Sequence, residues 1–125
     1  MQTLLVCHTK KVCDICNNNL KKIVLYNEPP AMLFIVLNDS NVTITKKLKL
    51  KVNALEDTTY YLKGIVYHGN FHFNSRIISS EKLVWFHDGR TTGRNCTKEN
   101  HLSDCDSNAL MKRTNYKACL LVYSK

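Results

Sequence analysis

YYLKGIVYHGNFHFNSRIISSEKLVWFHDG, residues 60–89, reads as three short strands in succession. β-branched and aromatic residues fill 60–67, Gly69 marks a turn, a second strand opens on His72-Phe73, and a third ends in Trp85-Phe86-His87-Asp88. A histidine at the mouth of one strand and a carboxylate at the end of the next is the pattern that orients an imidazole. The carboxylate takes one ring N–H, fixes the tautomer and leaves the other nitrogen to act as a base. Adjacent antiparallel strands bring such side chains together although they lie 16 positions apart.

Outward from this stretch the chain continues in the same manner. Pro29-Pro30 ends a different opening segment, because proline disfavours helix in the residue before it and donates no ladder bond. Strands are expected at 31–37, 42–52, 60–67, 71–79, 82–87 and 117–123, with a turn at Asn38-Asp39-Ser40-Asn41. Along 42–52, Val42, Ile44, Leu48, Leu50 and Val52 share one parity, and Lys47, Lys49 and Lys51 share the other. That is a half-buried strand with a lysine row in water, which also discourages edge-to-edge pairing. Residues 90–116 are the least strand-like. A short helix is expected at Ser107–Arg113, capped by Asp106 or Ser107. The fold class is mainly β (α+β) with an antiparallel sheet. The division is a cysteine-bearing segment 1–28 and a β domain 29–125.

The chain has 125 residues, enough for one domain with a substantial core. No apolar run approaches the roughly 20 residues of a membrane span, and no signal peptide is evident at the start. Six cysteines at uneven spacing fit a reduced, intracellular protein better than a secreted disulfide scaffold. On that view the sequons Asn41-Val42-Thr43 and Asn95-Cys96-Thr97 carry no meaning. The net charge of +8 arises largely from lysine clusters at 10–11, 21–22 and 46–51. Such clusters are solvated faces or the electrostatic footprint of a nucleic-acid or acidic partner.

Several segments, in order, resemble the carboxy-terminal part of the ubiquitin-specific protease fold. They are Pro29–Leu37, Tyr61–Val66, His72-Phe73-Asn74-Ser75, Trp85-Phe86-His87-Asp88 and Lys117–Tyr123. The resemblance implies a palm-like sheet in which His72 is the catalytic base and Asp88 its orienter, with ubiquitin or a ubiquitin-like protein as partner. It also implies that Cys13-Asp14-Ile15-Cys16 is the second cysteine pair of a finger that holds zinc. Two thiols are half of a tetrahedral set; adding Cys7 and His8 would give a Cys3His set.

The departures are equally specific. The family places Gly before the histidine and Tyr after it, where this chain has Phe71 and Phe73. If both phenylalanines face the core, His72 faces the opposite side. His87, directly after Phe86, competes with Asp88 for the orienting position. No nucleophile box is present: Cys7 lacks its context, and Cys96, Cys105 and Cys119 follow the histidine. An imidazole and a carboxylate without a thiol form no acyl-enzyme. The first expectation is therefore a partial, thiol-less protease-like domain, inactive alone. The alternative is a non-enzymatic basic β module that binds nucleic acid or an acidic protein.

Overall fold

A computed structural model describes residues 3–26, 28–38, 42–51 and 56–125, with side chains described for 11–20, 28–38, 42–51 and 56–125. The chain forms two compact units: Met1–Ala31 with Lys49–Thr59, and Met32–Leu48 with Tyr60–Lys125. The architecture is mainly β and its sheets are antiparallel.

In the first unit, β1 (Thr3–Val12) and β2 (Asn19–Tyr26) form a hairpin, with Thr3 opposite Tyr26 and Cys7 opposite Lys22. The sequence pattern marks no strands here; the expected strands begin at residue 31. The hairpin tip closes by Cys13 N–H to Asn18 carbonyl, 2.8 Å, and Asn17 N–H to Cys13 carbonyl, 2.9 Å. Asn17 takes a left-handed φ of 57°, which asparagine tolerates better than most residues.

The remaining strands are β3 (Met32–Val36), β4 (Lys47–Lys51), β5 (Asp57–Gly69), β6 (His72–Ile78), β7 (Leu83–His87), β8 (Thr97–His101), β9 (Lys112–Arg113) and β10 (Tyr116–Ser124). The sheet runs β3-β10-β5-β6-β7-β8, with β4 beside β5 and β9 beside β10. Helix α1 (Ser107–Met111) begins where the sequence places it, and Asp106 caps it through a 2.7 Å bond from Ala109 N–H.

The expected strand over 42–52 is shorter, at Lys47–Lys51, although its alternation persists: Ile44 and Leu50 are buried, and Lys47, Lys49 and Lys51 are exposed. Ile44 and Thr45 send backbone bonds away from β5, whereas the Lys46 carbonyl still accepts the Leu62 N–H at 3.0 Å. Ile44 N–H donates to Ser107 Oγ at 2.8 Å, and the Thr45 carbonyl accepts from the Tyr123 hydroxyl at 2.7 Å. The remainder of the 38–41 turn beyond Asn38, and Val52, lie outside the described residues.

One face of the sheet holds the core of the second unit. Tyr60, Leu62, Ile65 and Tyr67 of β5 lie there with Leu121 and Tyr123 of β10 and Val84 and Phe86 of β7. Tyr67 and Tyr123 bury their rings and satisfy their hydroxyls at the tips, Tyr67 on the Leu110 carbonyl at 2.7 Å. On the opposite face Met32, Phe34, Val36, Phe73 and Ile77 are exposed.

β6 alternates accordingly: Asn74 and Ile78 are buried, while Phe73 and Ile77 are exposed. This corrects the expectation built on inward phenylalanines. Phe71 and Phe73 face solvent, and His72 shares the parity of the buried residues. The physical reason is the turn: Asn70 and Phe71 both adopt left-handed φ, 49° and 57°, closing a two-residue hairpin that swings Phe71 outward.

Among the described residues no helix is long and apolar enough to cross a membrane.

Candidate functional site

The site is built at the shared end of β6 and β7. Ser75 pairs with His87 across these strands. Continuing that register sets Asp88 opposite Asn74 and diagonal to His72, on one face. The diagonal is closed by the side chains: His72 Nε2 and Asp88 Oδ1 lie 2.8 Å apart. With the carboxylate ionised only the ring can donate, so Nε2 carries a proton, and in the neutral ring Nδ1 holds the free lone pair.

Asp88 is 6% exposed and is held from several sides. Its Oδ1 also accepts the Arg90 backbone N–H at 2.8 Å. Its own N–H donates to Thr92 Oγ1 at 3.0 Å, and its carbonyl accepts Thr92 N–H at 2.8 Å and Thr92 Oγ1–H at 2.9 Å. The residue thus serves both as an Asx-type turn former and as the partner of His72. The His72 bond, followed by the Arg90 N–H, holds its carboxyl below the usual carboxylate range, against an opposing push from burial. Asn74 pulls weakly in the same direction. The amide oxygen of Asn74 is buried without a hydrogen-bond partner.

Asp88, the expected orienter, and His87, its competitor, take separate roles. His87 turns away and its Nε2 lies 2.9 Å from the Gly93 carbonyl, to which it donates. Asp88 alone of the two meets His72.

On the other side of the imidazole, Tyr116 of β10 lies edge-on, with ring centroids 6.1 Å apart. Gly69, paired with His72, makes this possible: a Cβ there would come within 3.0 Å of Asn115 O and Tyr116 Cδ1. Phe71, 99% exposed, does not crowd the ring in the free protein. Asn74, Tyr116 and the Arg90 amide escaped the sequence reading. The shared parity of Asn74 with His72, and the Asp-Gly-x-Thr-Thr turn pattern, were the available signals.

Two cysteines of the second unit bond away from this pair. Cys105 Sγ contacts the His101 carbonyl and Cys119 Sγ the Val66 carbonyl, and burial raises both thiols. Cys119 sits at a register shift of β10, between Ala118 opposite Tyr67 and Leu120 opposite Val66. Cys13, Cys16, Cys96, Cys105 and Cys119 are all free thiols.

Cys13 and Cys16 lie in the β1–β2 tip. Backbone N–H groups of Cys16 and Ile15, in that order, lower the Cys13 thiol pKa. That stabilises a thiolate, the form a metal binds. The pair supplies two of four donors, and no cluster of three or more ligating side chains occurs among the described residues. The side chains of Cys7 and His8 lie outside them.

No protein-family model matches the chain, and no curated protein matches it.

Proposed function

We propose that the chain is a palm-like portion of a ubiquitin-specific-protease type of fold, bearing the base of a thiol hydrolase without its nucleophile. The observation that carries the reading is the 2.8 Å bond between His72 Nε2 and Asp88 Oδ1. An imidazole so held presents Nδ1 as a general base, and Asp88 stabilises the imidazolium that forms when it takes a proton. The proton would come from a cysteine thiol brought to Nδ1; its sulfur then attacks the carbonyl carbon of a terminal glycine, and the C–N bond breaks as the leaving amine takes the proton back from the imidazolium. The cysteine pair at a hairpin tip agrees with a finger knuckle, in which zinc would need two further donors.

Titration of the isotope-labelled chain with ubiquitin tests this. Amide shifts should concentrate on Gly69, His72, Asp88 and Tyr116, and a fluorogenic ubiquitin substrate should remain uncleaved. Absence of any shift near His72 overturns the ubiquitin reading. Cleavage that His72→Ala abolishes overturns the claim of inactivity alone.

A second reading, a basic module for an acidic or nucleic-acid partner, rests on the exposed Lys47, Lys49 and Lys51 along β4 and the net charge of +8.

A further inference from the structure

Far from His72, a small pocket of about 180 Å³ opens between Lys46, Lys47, Tyr61, Lys82 and the 3₁₀ turn that begins at Leu102. Its walls are almost wholly apolar, and none of its lining residues is acidic. Two ammonium groups converge on one phenol ring: Lys82 Nζ lies 4.7 Å and Lys47 Nζ 5.7 Å from the Tyr61 centroid. Two cations on one ring repel each other, and a cation–π contact at a partly exposed site offsets little of that repulsion.

The backbone adds an independent sign. Lys82 adopts φ +64° in the β6–β7 turn, a conformation glycine takes without cost. It is fixed there by Lys82 N–H to the Ser79 carbonyl, 3.0 Å, and by Leu102 N–H to the Lys82 carbonyl, 2.7 Å. Glycine or asparagine would serve this turn better. Lysine there is backbone strain retained at a pocket rim, where strain accompanies function. His101 adds a donor. Its Nδ1 accepts the Ser103 backbone N–H at 3.1 Å, so the neutral ring carries its proton on Nε2.

We propose that this pocket binds an acidic peptide, seating one apolar side chain against Tyr61 and Leu102 while flanking carboxylates meet Lys46, Lys47 and Lys82. The volume fits a single side chain, the apolar walls favour an anchor over a bare anion, and the cationic rim selects carboxylate neighbours. The inference names a partner class for the second reading above and is independent of His72.

The test is fluorescence anisotropy with a labelled pentapeptide of four glutamates around a central phenylalanine, beside a glycine-centred control and a labelled oligo-dT. The phenylalanine peptide should bind at least fivefold more tightly than the control. Lys82→Gly should weaken it by roughly tenfold while leaving the melting temperature unchanged or higher, because the strained φ is relieved. Tyr61→Ala should weaken the phenylalanine peptide and leave the control unaffected. Equal binding of the two peptides overturns the pocket, as does Lys82→Gly binding like wild type. Tight oligo-dT binding with neither peptide bound overturns the peptide proposal and leaves the basic-module reading standing.

Discussion

Asp88 accepts two bonds on one carboxylate oxygen, from His72 Nε2 and from the Arg90 amide, each at 2.8 Å. The first tie crosses two strands and the second closes the turn after β7. A single residue therefore fixes both the direction of the imidazole and the shape of the loop beneath it.

That arrangement has a pH consequence. The folded-state pKa of Asp88 lies below its unfolded value, so its contribution to stability is full above about pH 4. It is lost as pH falls through the depressed folded-state value. Carbon-detected NMR of the Asp88 carboxyl should give a midpoint below the ordinary range. His72→Ala should raise that midpoint most, and Asn74→Ala should raise it less. An unchanged midpoint in His72→Ala contradicts the assignment.

A second tie joins elements far apart in sequence. Arg76 Nε bonds Glu99 Oε1 at 2.7 Å, and its Nη1 reaches the Tyr67 hydroxyl at 3.0 Å and the Ala109 carbonyl at 2.6 Å. Glu99 Oε2 accepts from Arg113 Nε at 3.1 Å, and the Arg113 guanidinium lies 3.2 Å from the Phe86 ring centroid. Arg76→Ala leaves Glu99 and the Ala109 carbonyl short of donors, and should cost ~2–4 kcal/mol in urea unfolding. A loss below about 0.5 kcal/mol would mean that the network is dispensable.

The thiols should separate by reactivity. Backbone donors lower Cys13, whereas burial raises Cys105 and Cys119. Iodoacetamide at pH 7.5, followed by peptide mass mapping, should label Cys13 well before those two, since the thiolate is the reacting form. If a full ligand set forms in solution, added zinc should protect Cys13 and Cys16 together. Protection of neither limits the pair to ordinary thiols.

The exposed apolar side chains of the sheet should also declare themselves. Phe34 and Val36 are 63% and 66% exposed, and the paired rows Phe34–Val122–Gly64–Ile77–Trp85 continue across four further strands. Exposed apolar side chains grouped in this way bind hydrophobic dye and promote association. Phe34→Lys with Ile77→Lys should reduce dye fluorescence and apparent mass in light scattering, at little cost in melting temperature.

What could be read from the residues followed their burial. β3, β5, β6, β7 and β10 are rich in apolar and aromatic side chains, and their period-2 pattern marks them. β8, Thr-Lys-Glu-Asn-His, has no such pattern because it is an edge strand. It is held by backbone pairing and by Glu99 between two arginines, neither of which leaves a periodic signal. The meeting of His72 and Asp88 was legible because both stand at strand ends separated by one turn. Asn74, Tyr116 and the Arg90 amide were not, since each joins the site through register or loop shape rather than through its own chemistry.

The central claim concerns one proton. Nitrogen-15 NMR of the ring at a pH where His72 is neutral reports which nitrogen carries it. The account predicts a single tautomer protonated at Nε2, becoming a mixture in Asp88→Ala. A ring protonated at Nδ1, or a tautomer indifferent to Asp88→Ala, would contradict it.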